Sequence, residues 1–192
     1  MDLHQRLRRQ RTANGIAAVI DPTPCAAAAL PDGGEVAVVN AVGTTVIGDG
    51  PHFWAAPYEQ GGEFGGHAPP SGGIPLDADI AVAPPLATPG GNTTIGVVAT
   101  NAMLSKAEAQ RIAIMAQDGL ARAIRPSHTP FDGDTLFVLA TGRHALAEPR
   151  PQALATLGAL AADCVGRAVA RGVHAATSLG PWPSWRDRYG GA

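Results

Sequence analysis

The stretch TTIGVVATNAMLSKAEAQRIAIMAQDGLARAIR, residues 93–125, changes from a strand pattern to a helix pattern within a few residues. Its first part, residues 93–102, is rich in β-branched residues, which predicts a strand. The nearly continuous apolar run further predicts that both faces of this strand are buried. Ser105 and Glu108 then have the spacing of a capping box, which marks the start of a helix. Apolar residues recur at helical spacing up to Pro126, which is expected to end the helix.

The flanking segments continue this alternation of strands and helices. The stretch EVAVVNAVGTTVIGDG, from Glu35, predicts a buried strand and a turn, with room for a second strand after it. Residues 50–91 are dense in Gly and Pro and predict a long irregular loop, either functional or disordered. Residues 135–142 predict a short apolar strand, and the alanine-rich residues 150–176 predict a second helix. This order of elements predicts an α/β fold with layers of helix and sheet.

Composition restricts the classes of function. The chain has 192 residues, 45% of them hydrophobic, and a formal net charge of −2. That is enough apolar material for the core of one domain. The nearly neutral charge gives no basis for nucleic acid or a membrane surface as a partner, and no uninterrupted apolar run is long enough to span a bilayer. We therefore expect neither nucleic acid nor a membrane as a partner.

The N-terminal segment, residues 1–30, is basic and shows little periodicity. Its cluster RLRRQR is more typical of a solvated terminus than of a nucleic-acid-binding arm. Its apolar stretch TANGIAAVI is a weak h-region and no clear cleavage site follows it, so no signal peptide is expected. Cys25 and Cys164 show neither metal-ligand spacing nor a disulfide framework, which favours a reducing compartment. These features together predict a cytoplasmic protein.

The peptide PGGNTTIGVV, residues 89–98, allows two interpretations. In the first, the Gly-Gly-Asn sequence forms a tight turn, and the two threonines simply begin a strand. In the second, a threonine at the end of the turn attacks the carbonyl group before it, cuts the chain and becomes an N-terminal nucleophile. The residues of this peptide by themselves leave both interpretations open.

A longer set of residues resembles a known family. GNTTIGVVATNA, followed by LSKAEAQRIAIMAQDGLARAIRPSHTPFDGDTLFVLATG, is similar to the P1 family of peptidases, which includes the DmpA-type aminopeptidases and the nylon-oligomer endohydrolases. The similarity is dense from Asn92 to Gly142 and weaker over residues 33–43. It implies an N-terminal-nucleophile-like hydrolase with a layered αββα core, made as a precursor that cuts itself. Because the family precursor is longer on its N-terminal side, residues 31–192 are expected to be the C-terminal part of such a domain, and the domain to be incomplete.

The resemblance implies roles for particular residues. It makes Thr93 the nucleophile, the Asn92–Thr93 bond the cleavage site, Asp132 and Asp134 the nearby carboxylates, and Asn40 a polar residue of a neighbouring strand. Threonine rather than serine at position 93 favours the nylon-hydrolase-like branch. A free α-amine, with an ordinary pKa of about 8, could accept the hydroxyl proton without a histidine. The two carboxylates would orient that amine, and the Asn40 amide would stabilise an oxyanion.

Structural alternatives remain open for these residues. Asp132 and Asp134 are two apart and would face one side of a strand, but they could equally close an Asx turn. Asn40 could satisfy backbone groups at a strand break. His128 follows a helix end and is more typical of a loop histidine than of a base.

The other histidines and the tryptophans suggest no cofactor. His52, His67 and His144 lack metal-ligand spacing, so neither a metal nor any other cofactor is expected. Trp182 and Trp185 are expected to pack or to lie in an interface, because they bury large apolar areas.

One departure from the family pattern affects the expected activity. The family carries a lysine in a Gly-rich segment before the strand of Asn40, whereas the single lysine here is Lys106, in the first turn of the predicted helix. The resemblance implies a homo-oligomeric amide hydrolase that acts on short peptides or oligoamides. Because the family lysine and the N-terminal half are missing, we expect the isolated chain to be slow or inert. The alternatives are a non-catalytic remnant or a subunit that needs a partner, and an acyl transferase similar to ornithine acetyltransferases.

Overall fold

The computed structural model describes residues 33–74, 92–178 and 183–190, and for residues 33–36 only the backbone. In chain order the elements are β1 (Gly33–Asn40), a 3₁₀ turn (Ala56–Tyr58), β2 (Thr93–Ala102), α1 (Lys106–Ala123), β3 (Thr135–His144), α2 (Arg150–Ala175) and α3 (Trp185–Tyr189). The predicted α/β class is confirmed. The predicted N-terminal segment 1–30, the glycines before Asn92 and Trp182 lie outside the described residues.

The three strands form one mixed sheet with β2 at its centre. β1 runs antiparallel to β2, and β3 runs parallel to β2. The parallel pair is joined through α1, because parallel neighbours need a long crossover connection. After β1, residues 41–50 form turns rather than a regular second strand, with isolated bridges from Thr44 to Arg125 and from Val46 to Phe53.

The two long helices begin side by side and are tied together there. Ser105 caps α1: its hydroxyl accepts from the Glu108 N–H, and the Glu108 carboxylate accepts from the Ser105 N–H at 2.7 Å. This is the predicted capping box. Arg150, the first residue of α2, donates to both carboxylate oxygens of Glu108 at 2.6 and 2.9 Å. The Arg150 hydrogen bond, helped by those from Ser105, lowers the pKa of Glu108 to about 2.

Small residues let α1 and α2 approach closely. A Cβ atom on Gly119 would collide with the carbonyl oxygen of Ala162, and one on Gly158 would collide with the side chain of Met115. Around this contact the side chains of Ile112, Leu120, Val165 and Val169 have no solvent exposure. The helix pair therefore forms the centre of the core.

The two faces of the sheet have different environments. On β2 the even-numbered positions from Thr94 to Ala102 are buried, and Val98, Ala102 and Leu136 of β3 join the core cluster of the helices. The odd-numbered positions of β2 are exposed or half-buried, and Ile95 is 46% exposed. The prediction that β2 is buried on both faces is therefore wrong for the described residues. Among the described residues, the helices cover one face of the sheet, and no described element covers the other, which we call the open face.

The described part of the predicted loop is irregular but packs on the core. Phe53 and Phe64 are almost fully buried, and Phe53 stacks on Trp185 at 5.5 Å between ring centroids. Glu63 accepts from the buried Arg167 of α2 at 2.6 and 3.0 Å. Trp185 is a packing residue, as predicted.

One helix passes a simple test for a membrane span. Among the described helices, α2 is long and apolar enough to cross a bilayer by length and composition. However, 56% of its most apolar window is buried inside the protein, as expected of a core helix. Its apolar character is accounted for by its packing against α1 and the sheet.

Candidate active site

The predicted site residues come together at one end of the sheet, where β2 begins. Asn40, the last residue of β1, is directly opposite Thr93 in the antiparallel register. Asn92 forms a parallel bridge with Asp132, just before β3 begins. Residues far apart in sequence thus become neighbours, because the start of β2 lies between the end of β1 and the start of β3.

The carbonyl oxygen of Asn92 lies between two hydrogen-bond donors. The Thr93 hydroxyl donates to it at 2.6 Å, and the backbone N–H of Gly133 donates to it at 2.9 Å. Asn92 is 2% exposed, so little water competes for this oxygen. A backbone N–H at this distance can stabilise negative charge that develops on a carbonyl oxygen. The Thr93 hydroxyl and the Gly133 N–H therefore both contact the carbonyl group of the peptide bond that precedes Thr93.

Gly133 is needed here because a side chain would not fit. A Cβ atom at position 133 would lie 2.8 Å from Thr93 Oγ1 and 3.8 Å from the Asn92 carbonyl oxygen. The first distance is shorter than real Cβ contacts allow. The absence of a side chain therefore leaves room for the Thr93 hydroxyl, while the Gly133 N–H reaches the Asn92 oxygen.

Asp132 holds the turn that carries Gly133. One carboxylate oxygen accepts from the Val42 N–H at 3.0 Å. The other accepts from the Thr129 N–H at 3.0 Å and from the Thr129 hydroxyl at 2.6 Å. Both oxygens are thus engaged with polar groups that precede and follow β2 in the chain. The contacts with Thr129 correspond to the turn-closing alternative, and the contact with Val42 adds a link to the end of β1.

Asp134 supports the strand of the nucleophile directly. Its side chain is 3% exposed, and one oxygen accepts from the Thr94 N–H at 2.9 Å. The other oxygen lies 2.9 Å from His128 Nδ1 and 3.3 Å from the His128 backbone nitrogen. Because β3 begins only at Thr135, both aspartates belong to the preceding turn, and the prediction that they share one side of a strand does not apply.

Sequence reasoning missed two parts of this arrangement. The sequence gives no indication of the Gly133 N–H as a donor, because a backbone donor leaves no signal in residue types. His128 was interpreted as a loop histidine, which it is, but its ring also contacts Asp134. The positive φ of 55° at His128 could not have been read from residue types.

The opposite end of the sheet has a separate surface feature. A shallow cavity of about 390 Å³ is lined by residues that include Met103, Ser105, Ala140 and Arg150. Lys106 begins α1 at this same end, so it is far along β2 from Thr93. The described residues contain no group of three or more His, Cys, Asp or Glu side chains placed to hold a metal ion.

Comparisons with known proteins give matches to peptidases and to amide hydrolases. A profile described as peptidase family S58 matches residues 25–181. An uncharacterized aminopeptidase of Mycobacterium tuberculosis is 44% identical over 174 residues, which is 83% of this chain and 48% of that protein. A 6-aminohexanoate-oligomer endohydrolase of Paenarthrobacter ureafaciens is 42% identical over 57 residues, 30% of this chain and 16% of that protein.

One solved structure with similarity to this chain is that of an L-aminopeptidase D-Ala-esterase/amidase from Ochrobactrum anthropi. The match covers 50% of this chain and 29% of the Ochrobactrum chain, with 26% sequence identity and a TM-score of 0.40. The chain spans about half the length of the mycobacterial relatives that it matches. The matched profile nevertheless extends over most of the chain and includes every residue of the site described above. The chain belongs to peptidase family S58.

Proposed function

We propose that the chain is an amide-bond hydrolase that cuts itself between Asn92 and Thr93 and then uses Thr93 as an N-terminal nucleophile. The observation that carries this proposal is the pair of donors, Thr93 Oγ1 and Gly133 N–H, on the Asn92 carbonyl oxygen. Relatives described as an aminopeptidase and as a 6-aminohexanoate-oligomer endohydrolase support short peptides or oligoamides as the substrate class.

Self-cleavage would proceed in two steps. The Thr93 oxygen forms a bond to the Asn92 carbonyl carbon, and the electron pair of the C=O bond moves to the oxygen that Gly133 N–H holds. When this intermediate collapses, the C–N bond breaks and the hydroxyl proton ends on the released nitrogen, leaving an ester. Water then hydrolyses the ester to an Asn92 carboxylate and a Thr93 with a free α-amine.

Turnover would use the same hydroxyl on a second amide. The new α-amine of Thr93 accepts the hydroxyl proton as the oxygen attacks the substrate carbonyl carbon. The proton passes to the leaving amine of the substrate, and water later releases the acyl group from the Thr93 oxygen. Asn40 pairs with Thr93 in the strand register, and its amide would donate to the substrate oxygen.

Intact-mass spectrometry of the purified chain tests the proposal. Cleavage would give two fragments, one ending at Asn92 and one beginning at Thr93. Thr93→Ala should abolish the cut because it removes the attacking oxygen, whereas Thr93→Ser keeps a hydroxyl and should still be cut. Fragments that persist in the Thr93→Ala variant would show that another protease makes the cut.

Gly133→Ala gives an independent steric test of the same site. The added methyl group would crowd Thr93 Oγ1, and a misplacement of about 1 Å can slow a reaction about 100-fold. We expect cleavage to slow by at least roughly that factor. Gly142→Ala is the control, since the space around Gly142 is open although its φ of 70° adds some strain. Equal cleavage rates in the two variants would argue against the proposed geometry.

A second candidate is a subunit that works only with a partner, and the open face of the sheet favours it. Val38, Ile95, Phe137 and Leu139 are exposed large apolar residues on the same face as Thr93. Co-expression with the N-terminal half of the Mycobacterium tuberculosis relative tests this candidate. Cleavage and peptide hydrolysis that appear only in the co-expressed pair would support it, with Thr93→Ala in the same pair as the control. An uncut, inactive chain under both conditions would contradict both candidates.

A further inference from the structure

His128 lies in the loop between α1 and β3 and has a backbone conformation that few residues adopt. Its φ is 55°, and it is the one described residue other than glycine with a positive φ. Asparagine, aspartate and histidine are tolerated in this region better than most side chains, but the conformation still costs free energy. The surrounding contacts must therefore hold His128 in place.

These contacts all lead to one carboxylate oxygen. The His128 ring nitrogen Nδ1 lies 2.9 Å from Asp134 Oδ2, and the His128 N–H donates to the same oxygen at 3.3 Å. For Nδ1 to donate, it must carry the ring hydrogen. The left-handed backbone lets one residue present both its N–H and its ring to Asp134. The imidazole itself is 40% exposed, so burial does not explain its position.

The other oxygen of Asp134 continues the chain of contacts into β2. Asp134 Oδ1 accepts from the Thr94 N–H at 2.9 Å. Thr94 follows the proposed nucleophile directly, and its side chain is fully buried. A carboxylate held at one oxygen by His128 has a fixed direction for its second oxygen. The orientation of the peptide between Thr93 and Thr94 thus depends on a loop residue that precedes β3.

We infer that His128 is a positioning residue: it holds Asp134 so that Asp134 fixes the backbone of Thr94 and thereby the placement of Thr93. The effect of this positioning on self-cleavage rests on the function proposed above. His128 acts through Asp134 and not on the reacting atoms. A histidine that merely tolerates a left-handed turn would be replaceable by glycine without consequence for Thr94.

Two substitutions separate these roles. His128→Gly keeps the backbone conformation and removes the ring, because glycine adopts a positive φ readily. His128→Asn also tolerates this conformation and keeps an N–H donor on its side chain. His144→Gly is the matched control, because His144 is an exposed histidine at the far end of β3.

The measurement is amide hydrogen exchange by NMR on the chain, expressed as the Thr94 rate divided by the Val98 rate. Val98 lies in the middle of the same strand, so a general loss of stability raises both rates and leaves the ratio unchanged. We expect the ratio to rise roughly 10- to 100-fold in His128→Gly, the size of effect that follows loss of a hydrogen bond to a charged group. It should stay near the parent value in His128→Asn and in His144→Gly.

Self-cleavage supplies the functional readout. Where the parent cuts itself, alone or with a partner, His128→Gly should slow the cut roughly 10-fold or more, and His128→Asn should restore most of the rate. An unchanged exchange ratio in His128→Gly, or equal ratios in the glycine and asparagine variants, would overturn the inference. A parent that never cuts would defeat the proposed function instead, and the exchange ratio would still decide whether His128 positions Thr94.

Discussion

The two faces of the sheet differ although the same three strands form both. On β3, Leu136 points to the helices and is 7% exposed, whereas Leu139 points to the open face and is 57% exposed. On β2, Thr94 is fully buried beneath the helices, while Thr93 lies at the edge of the open face next to Asn40. Side chains alternate between faces along a strand, so neighbouring residues in sequence have opposite environments.

The covered face contributes to the stability of the fold, whereas the open face carries the candidate active site. The covered face joins the core formed by α1 and α2, where apolar burial supplies most of the stabilising free energy. The open face carries the proposed nucleophile at one end and exposed apolar side chains along its length. Monomeric proteins rarely leave a large contiguous apolar surface open to water. A partner layer over this face would extend the molecule toward the layered αββα arrangement that the resemblance implies.

The sharpest test of the comparison is a matched pair of leucine substitutions on β3. Leu136→Ala should lower the free energy of unfolding by about 2–4 kcal/mol, since it removes a buried side chain and leaves a cavity. Leu139→Ala should change it by about 0.5 kcal/mol or less in the isolated chain, as is usual for exposed positions. Urea denaturation measures both values. Comparable losses would show that the second face is covered in solution.

Removal of the site carboxylates should have the next largest effect. Asp134→Ala leaves the Thr94 N–H without its acceptor, and Asp132→Ala does the same to the N–H groups of Val42 and Thr129. Loss of an acceptor costs about 1–3 kcal/mol where the donor is buried, and less for the half-buried donors that Asp132 holds. We therefore expect reduced stability as well as reduced cleavage. Thermal unfolding followed by circular dichroism tests this expectation, and unchanged melting in both variants would show that the carboxylates are not needed for the fold.

Replacement of apolar side chains on the open face by polar ones should weaken association through that face. Phe137→Gln combined with Leu139→Gln replaces two exposed apolar side chains and leaves the covered face unchanged. Burial of one such side chain in an interface contributes about 1.5–3 kcal/mol, so any self-association through the open face should weaken by at least roughly 10-fold. Sedimentation velocity over a range of concentrations measures this. An unchanged association constant would show that this face is not an interface between copies of the chain. Ile114→Gln on α1 is the control, because Ile114 is a similarly exposed apolar residue on a helix.

The smallest expected effect is on the pH dependence of stability, through Glu108 at the start of α1. The pKa of Glu108 is lowered from 4.5 to about 2 by its hydrogen bonds to Arg150 and Ser105. A group with a lowered folded-state pKa stabilises the fold fully above its unfolded pKa, and the contribution is lost as the pH falls from about 4.5 toward 2. Glu108→Gln should therefore flatten the fall in melting temperature across this window. A parallel fall in parent and variant would contradict the assigned contacts.

Much of the fold could be predicted because its signals are local. The capping box of Ser105 and Glu108, the helical spacing after it and Pro126 are all readable from neighbouring residues. The start of β2 at Thr93 and of β3 at Thr135 agrees with the predicted segments. Burial of both faces of β2 was the wrong expectation, since a run of apolar residues does not reveal whether one layer or two covers a strand.

The site could be predicted only in part. Residue types together with the family resemblance pointed to Asn40, Thr93, Asp132 and Asp134, and the fold brings all four to one end of the sheet. The roles of those residues in catalysis stay predictions. The contacts of Gly133 and His128 were not predictable, because they depend on where a backbone N–H points and on one left-handed φ angle.

The sequence by itself determined the order of the strands and helices and the two ends of α1, because these follow from local propensity and capping. The peptide bond at which Thr93 would act was indicated only by the family resemblance, and it stays a prediction. Only the tertiary structure decided which face of the sheet the helices cover and which donors surround the Asn92 carbonyl oxygen. The physical reason is that register and hydrogen bonding join residues about 40 to 90 positions apart, such as Asp134 to Thr94 and Asp132 to Val42, and no local pattern records such contacts.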